Sequence, residues 1–390
     1  MKKRGTWILA LLLCLSLLMT ACGQSAAPAA SEPPAETQTV EAEQEQELET
    51  IEATFAHIFE PGHTLYELAE SFAAQVEEQT NGRIKINVVP AGALGGMDSN
   101  LEALDLGTID ICLAGESYTS TYYAPLAVYT APYAFQSWDH FRNYLDSDFF
   151  AQLKEGYYEA TGNRIIGSYT SGFRSITANK AIRTPEDLKG VKIRVPDAPA
   201  FTAMPVACGA SPTPMALSEV YLALQQGVVD AQENPLETSY NQKFYEVCDY
   251  ICISEHMMEP SHIVVSGSFW DKLTDEEKVI VENIAKSVSA EATDKAEASA
   301  NDYIGLFEEQ GCTIITDVDK EAFAALCLEF NTSPDRDWTA EQWEALQAKT
   351  AQAKAELAEY SHEKVREWKE KAEIIKDSAI RKAEFWKENP

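Results

Sequence analysis

The chain has 390 residues, with 62 Asp and Glu against 31 Lys and Arg, a formal net charge of −31. That balance excludes nucleic acid as a partner, because binding a polyanion needs a basic patch and no Lys/Arg cluster stands beyond the first few residues. The acid excess reads as solubility, and an anionic ligand would have to be held by local arginines against an unfavourable overall field.

Lys2, Lys3 and Arg4 form a basic start, followed by an apolar run from Trp7 to Leu18. A spanning helix needs ~20 apolar residues, so this shorter run reads as the core of a signal peptide, residues 1–21. It ends in Leu18-Met19-Thr20-Ala21-Cys22-Gly23, which resembles a lipobox with Met19 where leucine is more usual. The resemblance implies cleavage before Cys22 and a diacylglycerol thioether on its thiol. The protein is then expected outside the cytoplasm, lipid-anchored to the cell membrane. Between Gly23 and Glu52 there are eight Glu and no Lys or Arg. Such a segment cannot bury enough apolar surface to offset its ordering entropy, so residues 22–52 are expected to form an acidic disordered tether.

Alternating strand and helix patterns follow. Ala53 to Ile58 opens as a strand, and Leu65, Leu68, Ala69, Phe72, Ala73 and Val76 have helical spacing. Asn81-Gly82 marks a turn, and Ile84, Ile86 and Val88 alternate as a half-buried strand. Leu101 and Leu104 suggest a short helix ended by Gly107, and Ile109 to Ala114 is an apolar strand. The pattern restarts after Ile166. A strand runs from Arg174 to Ala178. Thr184 reads as an N-cap, Pro185 as the first helical residue, and Glu186 and Asp187 as first-turn acids. Val191 to Val195 is the next strand, and Ser218 to Gln226 a helix ended by Gly227. Strands separated by helices argue for parallel βαβ units, and two such modules fit a bilobed binder with ligand at the strand ends. From Trp338 to Trp386 the chain is rich in Ala, Glu and Lys, which predicts a helical tail. Its aromatics Trp343, Tyr360, Trp368, Phe385 and Trp386 are expected to pack on the body.

Of eight cysteines, Cys14 leaves with the signal and Cys22 takes the lipid. The remaining six are too few for a disulfide scaffold. Cys248, Cys252 and His256 share i, i+4, i+8 spacing, but a structural zinc site needs four ligands, and the stretch Val247 to Ile253 looks like a strand. No metal or cofactor is expected. Nor is an enzyme: the chain lacks a Gly-x-Ser-x-Gly elbow, His-Glu-x-x-His, a Walker loop and Gly-x-Gly-x-x-Gly. Gly92-Ala-Leu-Gly-Gly96 is glycine-rich without the Lys and Ser/Thr of a phosphate cradle.

The segments SGFR (171–174), NKAIRTPEDLKGVKIRVPD (179–197) and PTPMALSEVYLALQQGVVDAQENP (212–235) together resemble the solute-binding subunits of tripartite ATP-independent periplasmic (TRAP) transporters, the C4-dicarboxylate-binding family. The resemblance implies a bilobed α/β solute-binding protein of Venus-flytrap type with a long domain-spanning helix. Domain I would take residues 53–170 plus about 258–298, and domain II residues 171–257 plus about 299–390. The partners implied are a small organic acid anion and the membrane permease subunits of the transporter. Arg194 matches the family arginine that pairs with the ligand carboxylate, a task suited to the planar guanidinium fork. If Ile193 and Val195 face the core, alternation points Arg194 to the cleft. Arg174 matches a second arginine of the family site, Asn234 the amide that completes the carboxylate cage, and Pro214 and Met215 the pocket wall. In the first domain His57 and Glu116 stand at strand ends. A carboxylate at Glu116 would accept hydrogen bonds from ligand hydroxyls and repel a second ligand carboxylate. The ligand expected is therefore a sugar acid such as a uronate. The alternatives are a C4-dicarboxylate, or a sensor subunit that docks on a receptor.

Overall fold

The computed structural model describes residues 49–331. The signal peptide, Cys22 and most of the acidic segment lie outside them, as does the tail with Trp343, Tyr360, Trp368, Phe385 and Trp386. In chain order, β1 (Ile51–Ala56) leads to α1 (Thr64–Gln79), β2 (Ile84–Val89), α2 (Met97–Asp105), β3 (Ile111–Gly115) and the short α3 (Glu116–Thr119). A 3-10 turn precedes α4 (Trp138–Leu145), α5 (Asp148–Thr161) and β4 (Arg164–Tyr169). Then come β5 (Phe173–Ala178), α6 (Pro185–Leu188), β6 (Lys192–Val195), α7 (Ala203–Ala207), β7 (Ser211–Pro214), α8 (Val220–Gln225), β8 (Ala231–Pro235), α9 (Leu236–Asn241) and β9 (Tyr250–Met258). The described chain closes with β10 (Ser261–Val265), α10 (Gly267–Trp270), α11 (Asp275–Glu309), β11 (Thr313–Ile315) and α12 (Lys320–Asn331).

The strands make two sheets, ordered β2-β1-β3-β10-β4 and β11-β9-β5-β8-β6-β7, the cores of two lobes. In the first, successive residues of β3 serve opposite faces. Ile111 and Leu113 join Phe55, Phe72 and Val281 on one side, while Cys112 and Ala114 join Leu101, Tyr129 and Phe141 on the other. Both sheets are mixed rather than wholly parallel as the βαβ pattern suggested. β10 runs antiparallel to β3 and β4, and β5 antiparallel to β8 and β9. The cause is the path of the chain. It leaves the first sheet at Tyr169 and re-enters at Ser261, and these two residues pair. A strand entering where its neighbour exits must run the other way. The outgoing crossing carries Gly172 at φ +90°, a conformation open to glycine at no steric cost.

Helix α11 braces this arrangement. Thr274 caps it reciprocally, accepting from Glu277 N at 3.2 Å while its own N–H donates to Glu277 Oε2 at 2.8 Å. Asp275, Glu276 and Glu277 suit the positive end of the helix dipole. Its apolar stripe Val281, Ile284, Ala285, Val288 and Ala292 packs on the first sheet, and Phe307 packs with Ile251 and Ile253 of the second. One helix of 35 residues, ~50 Å long at 1.5 Å per residue, thus serves both lobes. Among the described residues, no helix is long and apolar enough to cross a membrane.

Candidate functional site

The two arginines expected at the site flank β8, Arg174 from β5 and Arg194 from β6. β8 is buried along its whole length although it reads Ala-Gln-Glu-Asn-Pro. Buried polar groups must be paired, and β8 satisfies this with a chain of side-chain bonds. Gln232 Nε2 donates to Thr177 Oγ1 and Ser239 Oγ, each at 3.0 Å. Asn234 Nδ2 donates to Gln232 Oε1 at 2.6 Å. Arg174 closes the network, donating to both oxygens of Glu233 at 2.5 and 2.8 Å and to Asn234 Oδ1 at 3.1 Å. His256 Nε2 lies 3.2 Å from Glu233 Oε2, and its Nδ1 2.9 Å from Ser254 Oγ. Burial works against the ionised Glu233 carboxyl, but Arg174 and His256 outweigh it and hold its pKa down at about 2. Arg174 is therefore already neutralised.

Arg194 is not. Its neighbours Ile193 and Val195 are buried in core clusters, and its own side chain, 2% exposed, lines the cleft. Nε and Nη2 clasp the carbonyl of Met215 at 3.1 and 2.7 Å. Nη1 is buried without a partner among the described residues. Burial lowers the pKa to about 10, with Glu233 opposing and Arg174 adding to the shift. The guanidinium still carries its charge at neutral pH, so one donor and one uncompensated positive charge face the cleft. Arg174, Asn234 and Phe201 line the same space, with Phe59, Met97, Tyr118 and Glu259 across from them. The Phe201 ring lies 4.7 Å under the Arg174 guanidinium.

Pro214 stands exposed at the end of β7, opposite Val195, and is not part of the lining. Met215 acts through its carbonyl, and Leu217 supplies the wall from this segment. Glu116 is fully buried and does not line the cleft. As the first residue of α3 it turns inward, where it accepts a hydrogen bond from the Tyr144 hydroxyl at 2.8 Å. Burial pushes its carboxyl well above the usual range; Tyr144 opposes this and Glu259 adds to it. The cleft-facing carboxylate on this side is Glu259, between β9 and β10, whose Oε1 accepts from Ser117 N at 3.1 Å. Burial raises its pKa too, partly offset by Arg174. No periodicity marks Glu259, since it sits in a crossing loop; the following Pro260 is the one local signal. His57, 1% exposed, lies between Phe59 and Tyr66 and accepts from Phe59 N at 3.2 Å. Burial and nearby His63 lower its pKa to about 4, so it is neutral, and it stands behind Phe59 rather than in the lining. Cys248, Cys252 and His256 do not share a helix face. Cys248 precedes β9, Cys252 Sγ accepts from Ile182 N, and His256 belongs to the Glu233 network.

The cleft presents an arginine with an unpartnered donor, and relatives of known kind share its frame. A solute-binding protein of Roseobacter denitrificans is 36% identical over 259 residues, 66% of this chain and 78% of its own length. Its crystal structure with bound L-galactonate matches with a TM-score of 0.72, covering 77% of this chain and 99% of that one at 29% identity. The sialic acid-binding periplasmic protein of Vibrio cholerae is 32% identical over 275 residues, 70% of this chain and 86% of its own. A TRAP periplasmic solute-binding protein of Ochrobacterium anthropi, solved with L-fuconate, matches with a TM-score of 0.73 at 28% identity, over 77% and 99% of the two chains. The family model for bacterial extracellular solute-binding protein, family 7, matches residues 55–330. The chain belongs to that family, the extracytoplasmic solute-binding, non-catalytic subunits of TRAP transporters.

Proposed function

We propose that the protein captures a polyhydroxylated monocarboxylate, a sugar acid such as a uronate or aldonate, between its two lobes and hands it to the TRAP permease. The observation that carries this is Arg194 Nη1, a buried donor without a partner in a cleft where Arg174 is already paired. One free cation suits one carboxylate. Glu259 on the facing wall suits hydroxyl donors and disfavours a second carboxylate, because like charges in a partly desolvated site repel. Glu116, expected in this role, is buried against Tyr144 away from the cleft, and Glu259 takes its place. The relatives whose structures hold L-galactonate and L-fuconate bind ligands of this type. A C4-dicarboxylate is the second reading, and the Glu259 carboxylate weighs against it. In this reading the mature chain is tethered by a lipid on Cys22, and Cys22→Ser should move it from the membrane to the soluble fraction.

Arg194→Ala tests the clamp. It should weaken sugar-acid binding by at least ~30-fold in calorimetry, the low end of the cost of removing a buried charge partner. Near wild-type affinity in a folded variant would remove Arg194 from the site. Arg174 is a poorer test, because its loss would leave the buried Glu233 carboxylate with His256 as its one remaining partner among the described residues and destabilise the lobe itself.

A further inference from the structure

A second cavity of about 370 Å³ opens in the first lobe, bounded by α4, α5, β4 and α11. Its volume falls in the range of small-molecule sites, and it shares no lining residue with the arginine cleft. Phe141, Leu145, Phe150, Ile166 and Ala290 give it apolar walls. Three cations border it. Arg142 is taken up by Asp294 and Glu297 at 2.8 and 2.5 Å, and Lys286 leans on Glu282 at 3.7 Å in solvent. Among the described residues Lys154 has neither an ion pair nor a hydrogen bond; its ammonium hangs over the Phe150 ring, 5.3 Å from the centroid. Burial lowers its pKa, with the charge of Lys286 adding to the effect and Glu282 opposing it. Behind the wall His262 stacks on Phe150 and bonds Ser168, whose hydroxyl reaches the cavity at 3.0 Å from His262 Nδ1. Asp146 and Asp294 also line the cavity, Asp294 being held by Arg142 and Asp146 standing exposed. In a chain of net charge −31, a half-buried lysine without a carboxylate at ion-pair distance among the described residues, beside a largely apolar cavity, is an unfilled anion position.

We propose that this cavity is a second ligand site, separate from the transport cleft, which takes a small carboxylate with an apolar body. The carboxylate pairs with Lys154 and the Ser168 hydroxyl, and the body lies against Phe141, Phe150 and Ile166. A pair formed on a partly desolvated ammonium is worth more than one in open solvent, and the apolar wall favours a ligand whose body it removes from water.

Phenylacetate is a suitable probe, with 2-phenylethanol as its neutral counterpart, both titrated into the full chain by calorimetry or ligand-observed NMR. Phenylacetate should bind saturably to the wild type and equally to Arg194→Ala. Lys154→Gln, at a half-exposed position, should weaken it at least ~10-fold, and 2-phenylethanol should bind the wild type at least ~10-fold more weakly. Absence of saturable binding, unchanged affinity in Lys154→Gln, equal binding of the neutral probe, or loss of binding in Arg194→Ala would each overturn the assignment.

Discussion

Arg174 and Arg194 flank the same strand and are equally buried, yet their surroundings set them different tasks. Arg174 completes a network that the protein satisfies by itself, while Arg194 keeps one donor for something else. Alternation in Lys192-Ile193-Arg194-Val195 was enough to orient Arg194, because two buried neighbours leave it one direction. Glu116 was expected in the cleft only from its place at a strand end, and alternation could not have corrected that. Every residue of β3 is buried, so alternation does not say which face the following residue takes, and the first turn of α3 carries Glu116 into the aromatic core. Its raised pKa has a consequence for stability. A carboxyl whose folded pKa is raised contributes stability that is present below the unfolded value, about 4.3, and is lost as pH rises through the folded value. Glu233, held at about 2, acts in the opposite sense: its contribution is present above the unfolded value and is lost as pH falls toward 2. Glu116→Gln should remove the first effect and leave the second. The variant should gain stability over wild type as pH rises above the unfolded value of about 4.3, by up to ~1.4 kcal/mol per pH unit, read by denaturant unfolding, with little difference at pH 4. An offset that does not change with pH would contradict a buried, protonated Glu116.

Elements differed in how far the sequence disclosed them. Helix α1 and strand β2 were legible from apolar spacing, and α6 from the run Thr184-Pro185-Glu186-Asp187, where the capping box forms with Asp187. β7 and β8 were not expected as strands. β7 reads Ser-Pro-Thr-Pro, with two residues that cannot donate to a ladder, and β8 holds polar residues whose burial depends on the network rather than on apolar alternation. The long helix came from the family resemblance, and its fit depends on a close approach no pattern reveals. A Cβ on Gly167 of β4 would lie 2.6 Å from Ser289 Oγ and 2.8 Å from the carbonyl oxygen of Ala285 on α11. A helix backbone pinned along its stripe cannot yield cheaply. Gly167→Ala should therefore cost ~1–3 kcal/mol, the range for overpacking a well-filled core, read as a lower urea midpoint. An unchanged midpoint would show that α11 and β4 are not held this tightly.

At the scale of the molecule, charge and topology converge on one cleft. The chain carries −31 overall but concentrates an unpaired cation at the ends of β6 and β8, facing Glu259 in the segment where the chain crosses between its sheets. The resemblance carried the fold and pointed to two arginines that line one cleft; it did not reach the facing wall, where Glu259 lies in a crossing loop. Selectivity between one carboxylate and two is thus the property on which the functional reading turns. Calorimetric titration of the purified protein with D-galacturonate and L-galactonate against succinate measures it directly. At least one sugar acid should bind at least ~10-fold more tightly than succinate, about 1.4 kcal/mol; tighter binding of succinate than of either sugar acid would contradict it.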